Sequence, residues 1–367
     1  MSLLYLSDGY LIGMAVWLTA GSASLMLLIR ATRRLKTEDR RATVVKLAVS
    51  CWILLASLTA VELYFALIHD TTDSFNMTNV SKKWFDMHVT PQERALQFGG
   101  GQGTVYRDDR PFPNTLKPGQ HHICFVGDSF TFGQGMPHIA DRFSNRLGAA
   151  LEKEQPGKYI VSNLSRTGRE LHWIHKLLEQ LFRKEYPIDT VVYVVCLNDI
   201  ETFHKRHETY YIDLGSHSPE FFLFRDTYFF NMLYFRVRQF AVPDVRDYYS
   251  FVREYYSGEP WQRMKSKLDE VHALCEDNDV ELRIVVFPFL HNLGPDYPFH
   301  DAHRQFTEYC DDAGIRVLDL EPVLRVQNPK QLTVNRFDAH PNELAHKLAA
   351  EAIRTKLFRD LGNSPGN

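Results

Sequence analysis

The chain has no excess of positive charge: 42 Lys and Arg stand against 45 Asp and Glu, a net charge of -3 over 367 residues. That argues against a general nucleic-acid binder, which needs a basic face to neutralise phosphates. Cysteine is scarce too. Five residues, irregularly spaced, build neither a disulfide framework nor a zinc knuckle. Cys124 and Cys196 lie inside apolar runs and read as small buried hydrophobes. Charge is missing altogether from Gly9 to Ile29, an apolar run long enough for a helix to cross a bilayer of about 30 Å. Residues 1 to 8 hold no Lys or Arg, so the run lacks the basic leader of a cleaved signal peptide.

A second such run, Leu47 to Ile68, has one charge, Glu62, near its far end. A carboxylate there can snorkel to the interface or pair with a neighbouring helix. The loop between the runs carries Arg30, Arg33, Arg34, Lys36, Arg40, Arg41 and Lys46 against only Glu38 and Asp39. The positive-inside rule therefore places this loop in the cytoplasm. The expectation is a two-pass hairpin over residues 1–68, with spans of about 9–29 and 47–68, in the inner (cytoplasmic) membrane. Everything after Ile68 then lies on the extracytoplasmic side, which is the periplasm in a Gram-negative cell.

Residues 69–118 are polar and punctuated by Gly and Pro, and read as a linker. From about 119 to 362, strand-like runs alternate with amphipathic segments. Strands are expected at Ile123–Val126, Tyr159–Asn163, Thr190–Cys196, Leu282–Phe287 and Val317–Leu320, and helices near 140–154, 169–184, 259–278, 299–313 and 342–358. The β-branched runs suit central strands covered on both faces. The pattern predicts an α/β protein: a doubly wound, three-layer α/β/α sandwich with a five-stranded parallel sheet, binding ligands at the carboxyl ends of its strands. An insert at about 200–258 breaks the rhythm with aromatic residues such as Phe221, Phe222, Tyr228 and Phe235, interleaved with Arg225, Arg236 and Arg238. It reads as a helical cap with its own core, a substrate wall, or a lipid-docking surface.

Four short blocks fall at expected strand ends: Gly127-Asp128-Ser129, the stretch Asn163 to Gly168, Leu197-Asn198-Asp199, and Asp338-Ala339-His340. Acyl transfer needs what they offer. A serine on a sharp turn at the mouth of a sheet can face a substrate carbonyl. Ser129 is the candidate nucleophile, His340 its general base and Asp338 the carboxylate that orients the imidazole. The backbone N–H of Ser129, the backbone N–H of Gly168 and the side-chain amide of Asn198 are candidate donors to an oxyanion. A side chain at Gly168 is expected to crowd the incoming oxygen. Asp128 is expected to tie the turn by hydrogen bonds, and Asp199 to cap a helix.

These blocks resemble those of the SGNH (GDSL-type) hydrolase superfamily, in which a serine, a glycine, an asparagine and a histidine each head one block. The resemblance covers roughly residues 120–358 and is shared with membrane-tethered bacterial members. It implies a flavodoxin-like sandwich and hydrolysis or transfer of esters, with Ser129, Gly168, Asn198 and His340 in the family's four roles and Asp338 as the triad acid. Three departures stand out: Phe130 in place of the usual leucine, Cys196 where glycine is common, and an acid two residues before the histidine where three is commoner.

The leading expectation is a membrane-anchored serine esterase acting on ester, including O-acetyl, bonds of an extracytoplasmic acylated glycan or lipid. It implies no metal and no organic cofactor, and no protein partner is indicated. An O-acyltransferase of a cell-envelope polysaccharide uses the same residues, and a non-catalytic envelope glycan-binding protein is the rival from another class. Arg166 and Arg169 flank Gly168 and are candidates to receive an anionic group of the substrate. His172 and His175, one helical turn apart, lack a third ligand and read as surface or packing residues. His204, Arg206 and His207 follow the third block and read as solvated loop residues or as part of the cleft lining.

Overall fold

The computed structural model describes residues 5–34, 38–74, 76–99, 102–204 and 219–359. The chain divides into two compact units. The first comprises Met1–Thr71, Phe75–Met87 and Asp213–Val242; the second Thr72–Ser74, His88–Ile212 and Pro243–Asn367.

In the first unit, α1 (Asp8–Arg34) and α2 (Glu38–Leu67) are long and apolar enough to cross a membrane. Leu11, Ile12, Val16, Leu47, Ile53 and Leu54 are all exposed on them. The indole N–H of Trp17 on α1 donates to Thr59 of α2 at 3.2 Å. At the end of α2 the last carbonyls lack intrahelical donors. Lys83, on α3 (Asn79–His88), supplies them: its Nζ donates to the carbonyls of Phe65 at 2.8 Å, Ala66 at 2.9 Å and His69 at 2.8 Å. Burial pushes the Lys83 ammonium down to about 8. Glu62 does not snorkel. Its carboxylate accepts the backbone N–H groups of Tyr228 at 2.7 Å and Phe229 at 2.9 Å, and so caps the helix Phe229–Ala241.

That helix corrects the picture of the aromatic insert as one body. Met232 and Tyr228 pack with Tyr10, Met14, Ala66 and Val80 in the core of the first unit. Helix Tyr248–Tyr255 belongs instead to the second unit. Arg206 and His207 lie outside the described residues.

The second unit is built on a parallel sheet of β3 (His121–Gly127), β4 (Tyr159–Asn163), β5 (Thr190–Cys196), β6 (Glu281–Phe287) and β7 (Arg316–Asp319), in the order β4-β3-β5-β6-β7. Counted along these five, the order is second, first, third, fourth, fifth, which is the flavodoxin-like arrangement. Every residue of β5 is buried, so both faces of the sheet are covered. Each buried valine of this strand contributes about 1.5–3 kcal/mol. Helix α5 (Phe143–Glu154) packs with Glu343–Ala352, and α6 (Leu171–Arg183) with Glu259–Glu276. The fold is the expected α/β/α sandwich.

Residues 69–118 are not an unstructured linker. Besides α3, they form an antiparallel hairpin of β1 (Glu93–Gly99) and β2 (Gln102–Arg107). Leu96, Phe98 and Tyr106 are buried in the main core. Arg107, fully buried, donates to the carbonyls of Gly133 at 3.2 Å and Met136 at 2.7 Å.

Candidate active site

Strand β3 ends at Gly127 because nothing larger fits: a Cβ there would lie 2.4 Å from the Thr131 hydroxyl and 2.8 Å from the Val194 carbonyl. The chain turns at Asp128 into the short helix α4 (Ser129–Phe132). Asp128 is its N-cap, accepting the Phe130 N–H at 2.9 Å, as its expected role in tying the turn requires. Burial pushes the Asp128 carboxyl up to about 6. Ser129 thus stands at the carboxyl end of β3. There the chain leaves β3 toward β4 on one side and β5 toward β6 on the other, which is where sheets of this topology bind ligands.

The histidine arrives on a second hairpin, β8 (Thr333–Asn335) with β9 (Asp338–Pro341). Asn335 shapes its turn by accepting the Phe337 N–H at 2.7 Å. Asp338 and His340 lie two apart on an extended strand, where alternate side chains share a face. The two-residue spacing therefore brings carboxylate and imidazole together without a turn. His340 Nδ1 is 2.5 Å from Asp338 Oδ1, and the His340 backbone N–H donates to the same oxygen at 3.0 Å. His340 Nε2 is 2.9 Å from Ser129 Oγ. The nearest Asp128 oxygen is 3.4 Å from that hydroxyl, so the imidazole is the closer acceptor. Pro341 closes β9 by pairing with Thr333, and Asn342, not Pro341, starts the following helix by accepting the Ala345 N–H at 3.1 Å.

Burial opposes the charged forms of both partners, but their mutual attraction outweighs it. Asp338 is held below the usual carboxylate range and His340 above the usual imidazole value. Ser129 is 9% exposed and Asp338 1%. Thr72 was not foreseen: its hydroxyl donates to Asp338 Oδ2, the oxygen His340 leaves free. Nothing in the sequence marks a threonine 266 residues away. The Phe130 ring meets His340 edge to face at 5.5 Å. His291 follows β6 on a 3₁₀ turn that packs against β9. Both its ring nitrogens are buried without a hydrogen-bond partner, and burial pushes its pKa down to about 4.

The other expected residues fall into place as follows. Asn163, ending β4, donates to the Thr131 carbonyl at 2.8 Å and to Ser144 at 2.9 Å, tying this strand end to α4. Gly168 sits in the next loop at φ +66°, a left-handed conformation that favours glycine. A Cβ there would meet no atom within 4 Å, so the backbone conformation is what demands glycine. Asn198 is the second residue of the 3₁₀ turn after β5 (Leu197–Phe203), and its Oδ1 is buried without a partner. Ser129, first in its helix, has an N–H with no intrahelical acceptor. Asp199 is not a helix cap. It is buried and accepts the Tyr193 hydroxyl at 2.6 Å, and burial drives its pKa well up. The His172 ring packs on Phe203 at 4.6 Å. Among the described residues, no three His, Cys, Asp or Glu side chains gather as a metal site.

No family model and no curated protein sequence matches the chain. Its fold is similar to several solved structures. One is a member of the lipolytic protein G-D-S-L family from Veillonella parvula, 14% identical, covering 65% of this chain and 99% of that one at a TM-score of 0.39. Another is the esterase EstA from a Pseudoalteromonas species, solved with monoethylphosphonate as inhibitor, 14% identical over 66% and 100% at 0.40. A third is Axe2, an acetylxylan esterase from Geobacillus stearothermophilus, 12% identical over 67% and 96% at 0.41.

Proposed function

We propose that this chain is a membrane-anchored serine esterase of the SGNH superfamily. Its second unit hydrolyses ester bonds, O-acetyl esters among them, of an extracytoplasmic substrate such as an acylated glycan or lipid. The observation that carries the reading is the unbroken polar path from Thr72 through Asp338 and His340 to Ser129. Ser129 Oγ attacks the ester carbonyl while His340 Nε2 takes its proton. His340 then protonates the leaving alcohol, and the acyl-enzyme forms. A water molecule, deprotonated by the same nitrogen, releases the acid. Asp338 holds the proton-bearing Nδ1 and stabilises the imidazolium. The N–H groups of Ser129 and Gly168 and the Asn198 amide form the oxyanion cradle, each donor worth about 3 kcal/mol. Helices α1 and α2 anchor the chain, and the Arg and Lys residues at the end of α1 and the start of α2 face the cytoplasm.

The test is labelling of the detergent-solubilised full chain by a fluorophosphonate. The wild type should take up one label, on Ser129, and Ser129→Ala none. Equal labelling of both removes this serine from the mechanism. Reporter fusions after Ile68 that are active only in the cytoplasm would overturn the topology.

A further inference from the structure

The segment after β4 does more than present Gly168. The Arg166 N–H donates to the Gly127 carbonyl at 3.2 Å, and the Arg169 N–H donates back to the Arg166 carbonyl at 3.1 Å. This tight turn is thereby pinned to the residue two before Ser129, a backbone span of at most about 7.6 Å. Across from it lies the hairpin β1–β2. Between the two is a cleft of about 260 Å³ lined by Gln97, Thr104, Val105, Arg166, Arg169 and Trp173.

The cleft is built, not incidental. Gln97 pairs with Gly103 across the hairpin, and a Cβ at Gly103 would lie 2.7 Å from the Gln97 side-chain oxygen and 2.8 Å from the Leu96 carbonyl. Arg166 Nη1 reaches the Val105 carbonyl at 3.5 Å, which ties the two walls together. The Arg169 guanidinium lies 5.7 Å from the centre of the Trp173 indole, which holds the cation over an aromatic plane. Two guanidiniums that can grip an anion by paired N–H groups, a half-buried indole, and the Gln97 and Thr104 side chains thus line one cleft, one wall of which is a loop whose backbone is bonded to Gly127.

We propose that this cleft is a subsite for an anionic sugar. A ring bearing a carboxylate sits against Trp173 with its charge on Arg166 and Arg169, and a neighbouring esterified sugar reaches Ser129. This rests on the esterase reading above and narrows its substrate to an acylated acidic glycan. A neutral glycan leaves two guanidiniums without a counter-charge.

The experiment measures binding of two unesterified probes to the full chain in detergent, by titration calorimetry: oligogalacturonate and a neutral xylo-oligosaccharide of equal length. Oligogalacturonate should bind at least about tenfold more tightly, and added salt should weaken it. Arg166→Gln and Arg169→Gln should each cost roughly tenfold, and Arg169→Lys should recover part of the loss. Equal affinity for the two probes, no binding of either, or oligogalacturonate binding untouched by both glutamine variants would overturn the proposal. Fluorophosphonate labelling of the same samples keeps the two ideas apart. Labelled protein without acidic preference sinks the subsite and leaves the esterase. Unlabelled protein that prefers oligogalacturonate sinks the esterase and leaves an acidic-glycan subsite.

Discussion

Both units bury charge against backbone groups, Arg107 in the second as Lys83 in the first, but one buried carboxylate of the second unit is used differently. In the first unit Glu62 is 1% exposed and Lys83 3%. Glu62 accepts two backbone N–H groups, and Lys83 donates to three backbone carbonyls. These partners are fixed main-chain groups left over at helix ends, so the charges serve structure. In the second unit the buried Asp338 faces an imidazole that can gain or lose a proton, and the chain of contacts ends on a hydroxyl. A buried charge alone therefore marks no site. What separates Asp338 from Glu62, Lys83 and Arg107 is whether the partner can carry a proton onward.

Substitutions sharpen the contrast. Ser129→Ala should lower kcat by about 10⁴-fold or more with an unchanged circular dichroism spectrum. Asp338→Asn should cost about 10³–10⁴-fold in kcat, because the imidazole loses its orienting carboxylate and favoured tautomer. Lys83→Met reverses the pattern. It leaves the carbonyls at the end of α2 unpaired, so the melting temperature in detergent should fall by several degrees, about 2 kcal/mol, with kcat/KM held within about twofold. A comparable loss of activity at constant stability would erase the distinction between the units. Thr72→Val, which removes one hydrogen bond to Asp338, should have the smallest effect, about tenfold in kcat.

The pH profile follows from the same pair. Asp338 raises the His340 pKa above 6.5. The base must be neutral to act, so kcat/KM should fall as pH drops through a midpoint above 6.5. Asp338→Asn should move that midpoint down. A wild-type midpoint at or below 6.5 would show that the carboxylate does not dominate the imidazole.

Where structure follows from local pattern, the sequence was readable. Strands Tyr159–Asn163 and Thr190–Cys196 match their expected bounds, the second because a near-continuous β-branched run suits a buried parallel strand. Ser129 was visible as a short block at a strand end, whereas the His340 block, read the same way, lies within β9. Other features depended on distant residues. Thr72 meets Asp338 across 266 positions, and Glu62 meets the start of a helix 166 positions on. The hairpin at 93–107 hid behind its glycines, although Leu96 and Phe98 already alternate with exposed neighbours. Asp199 follows a strand as an N-cap would, but a tyrosine hydroxyl inside the sandwich claims its carboxylate.

The central claim, that His340 deprotonates Ser129, is tested most directly by the rate of fluorophosphonate labelling followed by intact mass against pH. Wild type should label faster as pH rises through a midpoint above 6.5, and His340→Ala should lose both the speed and the inflection. Equal rates and equal pH dependence in the two proteins would contradict it.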